Sequence, residues 1–311
     1  MKVLGAADVR AALPMARALD AVEAAFVASS RGEVQMPPRT VLDGPDGPTL
    51  VMPARGAGLA VCKVVSVRPG NEARGLPTHQ GMVLVLDEAT GAPLAALDGA
   101  ALTALRTGAA AGVAARHLAR ADAGVLAVLG AGTQAGSCAR AIALVRNLRE
   151  ARVWSRTPER AQALARELGA RACASAGEAM RGADIVVTAT PAKGPLFDAR
   201  DLAEGALVCA MGSFTPAMAE VPPAALAKAR ICVDQREAAR REAGDLLQAE
   251  RAGALPPNVQ HAELGEIIAG TRPGRRSGET WVFKSVGIAA QDLFAARAAL
   301  GRPPRLAQSE S

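Results

Sequence analysis

One stretch constrains this chain more than any other: the run GVLAVLGAGTQAG, from Gly124 to Gly136. Its first part is short and continuously apolar, as expected of a strand covered on both faces. It runs straight into Gly130-Ala131-Gly132-Thr133-Gln134-Ala135-Gly136, and a helical pattern follows. A glycine trio of the form G-x-G-x-x-A is weak by itself. A buried strand before it and a helix after it make it the turn that receives a dinucleotide. Gly130 permits the tight turn, and Gly132 lets backbone approach a pyrophosphate. Thr133, Gln134 and Ala135 open a helix whose N–H groups and positive dipole end favour phosphate.

The strands ARVWS, a short one near Cys173, ADIVVTAT, GALVCAMG and ARICVD follow, alternating with helices such as 134–148 and 157–169. Such alternation predicts βαβ units and a parallel sheet. The fold class is therefore α/β, with a Rossmann-type doubly wound dinucleotide-binding domain over 119–283. Upstream the style differs. Residues 13–30 carry Met15, Leu19, Val22 and Phe26 at helical spacing, and 34–97 is a series of short apolar runs broken by turns. VLVLDEATGAPLAAL predicts a hairpin turned at Gly91 and Pro93, and 99–118 predicts a helix of small residues. The first region, 1–118, is an α+β unit with a mainly antiparallel sheet. The segment GIAAQDLFAARAAL predicts one more helix.

A length of 311 residues suits two domains at roughly 150 residues each. Half the residues are hydrophobic and 21% are charged, a globular balance. The net charge of +6 raises nucleic acid as a partner, but the arginines are interleaved with Glu and Asp. With five Phe, two Trp and no Tyr, stacking platforms for single strands are missing, so no nucleic-acid partner is expected. Three histidines far apart and no C-x-x-C pair predict no metal site. Five scattered cysteines, no secretory leader and no long apolar run predict a cytoplasmic chain without a membrane partner.

At the end of the second Rossmann strand an NAD-selective site usually has an acid for the ribose 2′-hydroxyl. Here the residues are Ser155, Arg156 and Thr157. A guanidinium and two hydroxyls suit a 2′-phosphate, so NADP is the expected cofactor, with NAD possible; the alternative role of Arg156 is stacking on adenine. Loops at the carboxyl ends of later strands, Thr188 to Pro195 and Met211 to Pro216, are expected to cover the nicotinamide half. Thr190 is a candidate contact in the first of them.

Only five of the 36 basic residues are lysines, and one of them, Lys63, interrupts the apolar strand LAVCKVVSV. A buried lysine has a depressed pKa and can give up a proton near neutrality, which arginine cannot. The alternative is an edge-strand lysine whose amine reaches solvent. Arg39 lies in QMPPRTVL, and Arg106 is the one large polar side chain in LTALRTGAAAG. Each alone suits an ordinary surface arginine. Together with Lys63 they look like a carboxylate clamp around a proton donor.

At these residues the chain resembles the ornithine cyclodeaminase/mu-crystallin family. The matching segments are MPPR, CKVVSV, the run from LPTHQG to AARHL, VLGAGTQA, VWSRTPERA, VTATP, MGSFTP, ELGEIIAG and VFKSVGIAAQDL. The resemblance implies a homodimer built through the antiparallel domain, to which the C-terminal helix returns, so that 284–311 joins 1–118. It implies that Arg39, Lys63 and Arg106 are substrate-binding and catalytic. It implies that Thr107, Gly130 to Ala135, Ser155 to Thr157, the turn Met211-Gly212-Ser213 and Ser285 contact the nucleotide. Family members form proline from ornithine, dehydrogenate alanine, or reduce cyclic ketimino acids; mu-crystallins also serve as binding proteins. The cyclodeaminases carry a catalytic Asp in the turn where this chain aligns Ser213. The PTHQG run, with His79 as a further candidate for protonation, and the GSFTP turn resemble the ketimine reductases. The implied activity is NAD(P)H-dependent reduction of a small cyclic imino acid, with ornithine cyclodeamination, alanine dehydrogenation and non-catalytic binding as alternatives.

Overall fold

The computed structural model describes residues 1–302. The chain divides into two compact units: Met1–Arg106 with the segment from Ile288, and Thr107–Gly287. The first join falls inside a helix, whereas the change in composition places it at that helix's end. Residues 303–311 of the expected returning segment lie outside the described residues.

The first unit is built on a six-stranded sheet. Its strands are β1 (Lys2–Leu4), β2 (Thr40–Leu42), β3 (Thr49–Gly56), β4 (Leu59–Val67), β5 (His79–Asp87) and β6 (Pro93–Asp98). Their order is β1-β6-β5-β4-β3-β2, antiparallel except for the β1–β6 pair. Gly91, at φ 71°, forms the β5–β6 turn, and Asp87 takes the Thr90 N–H and hydroxyl at 3.0 and 2.9 Å. Helix α1 (Ala6–Ala12) follows β1, then α2 (Met15–Ser30), which buries Leu19, Val22 and Phe26 on one stripe. Helix α3 (Gly99–Leu118) leaves β6 and crosses the division between the units. β1 and α1 have no signal above background in the sequence, being too short to show a period.

The second unit is an eight-stranded, wholly parallel sheet. Chain order gives β7 (Val125–Leu129), α4 (Thr133–Ala143), β8 (Glu150–Trp154), α5 (Pro158–Leu168), β9 (Arg171–Ala172), α6 (Ala176–Met180) and β10 (Ile185–Thr188). Then come β11 (Leu207–Ala210), α7 (Pro223–Leu226), β12 (Arg230–Val233), α8 (Arg236–Glu242), α9 (Gly244–Arg251), β13 (Ala262–Glu263), α10 (Leu264–Ile268) and β14 (Trp281–Lys284). The spatial order is β13-β12-β14-β11-β10-β7-β8-β9. The chain winds outward from β7 to β9, then returns to β10 on β7's other side. This is doubly wound topology, and its switch point lies between β7 and β10. β10 and β11 are buried at every position, which explains their unbroken apolar sequences. β14 sits between β11 and β12, hydrogen-bonded on both sides, and inserts a strand that the sequence pattern does not reveal. The last helix, α11 (Ala289–Ala299), belongs to the first unit and is buried along its whole length.

Candidate active site

Lys63 lies near the middle of β4, paired with Met52 on β3 and Val83 on β5. Alternation puts it on the same buried face as Leu59 and Val61. It is therefore a lysine of an interior strand, 1% exposed, not an edge residue reaching solvent. Such a charge needs a partner. Asp292, in the first turn of α11, supplies it: Lys63 Nζ lies 2.7 Å from Asp292 Oδ2. The other carboxylate oxygen, Oδ1, accepts Arg106 Nε at 3.2 Å. Arg106 Nη1 donates to Gln291 Oε1 at 2.9 Å. Asp292 and Gln291 are wholly inaccessible, and Arg106 is 7% exposed.

Burial is the main force lowering the Lys63 pKa, which falls to about 8. The Arg106 charge pushes the same way, Asp292 opposes both, and Arg39 adds a smaller downward push. Arg39, half-buried immediately before β2, is thus within electrostatic reach of Lys63. The structure brings Arg39, Lys63 and Arg106 into one electrostatic group. Lys63 and Arg106 share the one carboxylate of Asp292, so the pair carries excess positive charge and is suited to a small anion.

His79 does not join this group. It is exposed at the start of β5, opposite Val67, and its Nδ1 lies 3.0 Å from the Thr78 hydroxyl oxygen. It sits four residues along the strand from Val83, about 13 Å away at strand spacing.

The glycine loop sits at the switch point of the second unit. Gly130 has φ 124°, and a Cβ there would come within 2.6 Å of the Ala189 carbonyl oxygen. Only glycine allows β7 to turn this close to the end of β10. Gly132 is exposed, with open space where a Cβ would be, and it precedes α4, whose N-terminus has no side-chain cap. Thr133 is exposed, Ala135 is buried, and Gln134 Oε1 is buried without a hydrogen-bond partner. An uncapped helix end and an open glycine fit a pyrophosphate-bearing ligand.

Ser155, Arg156 and Thr157 form the turn between β8 and α5. Arg156 and Thr157 are exposed, while the half-buried Ser155 accepts the Thr157 N–H at 3.3 Å through Oγ.

Several other expected nucleotide contacts have their side chains committed inward. Ser285 Oγ donates to Asp234 Oδ2 at 2.9 Å, and Thr190 Oγ1 donates to Glu220 Oε1 at 2.8 Å. Ser213 Oγ donates to Asp245 Oδ2 at 2.5 Å and receives a bond from Lys284 Nζ at 2.9 Å. These hydroxyls give their protons to buried carboxylates of the chain and so shape their loops. Met211 and Thr107 are buried, and Gly212 is half-buried. At the segment beginning with Thr107, the adjacent Gly108 packs directly on Ser137 of α4, where a Cβ would meet Ser137 Oγ at 2.3 Å.

Among the described residues no group of three or more His, Cys, Asp or Glu side chains could hold a metal, and no helix is long and apolar enough to cross a membrane.

A family model, the ornithine cyclodeaminase/mu-crystallin family, matches residues 1–302. The chain belongs to the ornithine cyclodeaminase/mu-crystallin family. Within it, the chain is 42% identical over 258 residues to a Δ1-pyrroline-2-carboxylate reductase of Bacillus cereus (strain ZK / E33L), covering 80% of this chain and 79% of that protein. Among solved structures it is similar to the Thermococcus litoralis Δ1-pyrroline-2-carboxylate reductase in complex with NADH and L-proline. The TM-score is 0.92 at 34% identity, over 97% of each chain. It is also similar to an archaeal alanine dehydrogenase dimer with bound NAD, with a TM-score of 0.91 at 35% identity, over 97% of this chain and 95% of that one.

Asp292, Gln291 and Glu220 carry no motif by themselves and were not singled out from sequence. The signal for the first two was an acid and an amide side by side in a helix whose other residues, Arg297 apart, are apolar, GIAAQDLFAARAAL. A buried lysine on one element calls for a buried acid on another.

Proposed function

We propose that this chain reduces the C=N bond of a cyclic imino acid, Δ1-pyrroline-2-carboxylate or Δ1-piperideine-2-carboxylate, to L-proline or L-pipecolate. The observation that carries this reading is the buried Lys63–Asp292–Arg106 group, with a lysine near pKa 8 beside guanidinium groups. A reduced nicotinamide dinucleotide, held at the Gly130–Ala135 turn, supplies the hydride for the imine carbon. Lys63 gives a proton to the imine nitrogen. With a pKa of about 8 it is mostly charged at neutral pH yet able to release its proton. Arg39 and Arg106 hold the substrate carboxylate, and Asp292 fixes Lys63 and Arg106 while partly offsetting their charge. Orientation of this kind can be worth roughly 7–11 kcal/mol of barrier. The named relatives support the reductase reading.

For the cofactor we favour NADP, with NAD also accepted. Exposed Arg156 beside Ser155 and Thr157 supports the first, and the NADH and NAD of the solved relatives support the second. Cyclodeamination would call for a free carboxylate at the Met211–Ser213 turn. The acids nearest in the hydrogen-bond pattern, Glu220 and Asp245, are buried and bonded to the chain's own donors. We place the protein in the cytoplasm, where its five free cysteines remain thiols.

Initial rates with pyrroline- and piperideine-2-carboxylate, each with NADPH and NADH, test the reading. Imine-dependent cofactor oxidation is expected. Ammonia and proline formed from ornithine and NAD⁺, with no imine reduction, would replace this assignment by cyclodeamination.

A further inference from the structure

Two loops of the second unit are tied to one buried carboxylate. Glu220 is wholly inaccessible and accepts five bonds. Its Oε1 takes the Thr190 N–H at 2.7 Å and the Thr190 hydroxyl at 2.8 Å. Its Oε2 takes the Thr188 hydroxyl at 3.0 Å, the Gly212 N–H at 2.8 Å and the Ser213 N–H at 3.3 Å. The ends of β10 and β11 are therefore fastened to the same side chain. They also touch: a Cβ on Gly212 would lie 2.3 Å from the Thr190 carbonyl oxygen and 2.4 Å from its nitrogen.

Glu220 is itself held. Asp245 Oδ1 accepts the N–H groups of Glu220 and Val221 at 2.6 and 2.9 Å. Asp245 Oδ2 pairs with Lys284 Nζ at 3.0 Å, and that amine also donates to the Ser213 carbonyl at 2.5 Å. All three charged groups are buried. Burying them costs desolvation that apolar packing of the same space would not. In a doubly wound sheet the ligand lies beyond the carboxyl ends of the strands. The β8 side carries the Ser155–Thr157 turn expected at the adenosine ribose, which leaves the β10 and β11 ends for the nicotinamide half.

We infer that Glu220, braced by Asp245 and Lys284, is a positioning residue that locks the Thr190 and Gly212 backbones into one platform for the nicotinamide half of the cofactor. The inference rests on the dinucleotide reading above. It assigns Ser213 and Thr190 a supporting part in that platform.

Calorimetric titration with two probes, NADPH and 2′-phospho-ADP-ribose, separates this role from general stability. Glu220→Ala is expected to weaken NADPH binding tenfold or more and to leave the fragment within about twofold of wild type. Amide hydrogen exchange at Thr190 and Gly212 should quicken in the same variant. Should Glu220→Ala fail to fold, Glu220→Gln, which keeps the shape and one acceptor oxygen, is compared in the same way with a smaller expected loss. Equal weakening of both probes, or of neither, would overturn the positioning role. A wild-type chain that bound none of NADPH, NADH and the fragment would overturn the dinucleotide reading and this inference with it. Binding of both by wild type, with equal losses in the variant, would overturn the inference alone.

Discussion

Lys63 and Asp292 set the behaviour of the site with pH. Reduction needs the protonated amine, so kcat/KM should be level below pH 8 and fall as pH rises through about 8. A bound carboxylate favours the charged amine, so the fall in kcat should lie at higher pH than the fall in kcat/KM. Asp292 raises the Lys63 pKa, so Asp292→Asn should move the inflection below 8. It should also cost about 3–5 kcal/mol in denaturant unfolding, because buried cations lose their counter-charge. A pH–rate profile of the variant that matched wild type would contradict the pairing. At the other end of the chemistry, Arg156→Ala should raise KM for NADPH about tenfold or more and leave KM for NADH nearly unchanged. Lys63 and Arg106 were legible in sequence because each is a lone cation among apolar or small residues. Asp292 was not, since Arg106 and Asp292 lie 186 positions apart and only the fold joins them. His79 shows the converse: a plausible residue type that the strand register carries away from Lys63.

Elements with a strong local signature were the ones sequence could define. The β7–Gly130–α4 unit combines an apolar strand, a glycine that must adopt φ 124° and a helix start. Gly130→Ala places a Cβ against the Ala189 carbonyl and imposes an unfavourable backbone angle. It should destabilise the fold by about 1–3 kcal/mol and weaken dinucleotide binding in the same titration. Unchanged melting and binding would show that the turn tolerates a side chain. β14, by contrast, is four residues long and lacks alternation, so no period marks it. Its place between β11 and β12 follows from sheet order, which sequence proximity does not report. The helices α8 to α10 are short and were likewise not outlined by periodicity. The Met211–Ser213 turn was legible as a loop at a strand end. The direction of its Ser213 hydroxyl was not, because it depends on Asp245 and Lys284 from distant elements.

On the scale of the whole molecule, the first unit leaves one apolar sheet face uncovered. Val64 on β4 and Met82 and Leu84 on β5 point outward, 38%, 48% and 41% exposed, and Val64 pairs directly with Met82. Adjacent exposed apolar residues on a sheet mark an association surface. The homodimer expected from the sequence resemblance would bury this face. Met82→Glu combined with Leu84→Lys should shift the mass measured by light scattering from dimer to monomer; a persistent dimer would place the interface elsewhere. Steady-state reduction of Δ1-pyrroline-2-carboxylate by NADPH in wild type and Lys63→Ala decides whether Lys63 is the proton donor of an imine reductase. In Lys63→Ala, kcat should fall about 10²–10⁴-fold, the range for loss of a general acid, with NADPH affinity retained. A Lys63→Ala variant that turned over at the wild-type rate would contradict that role.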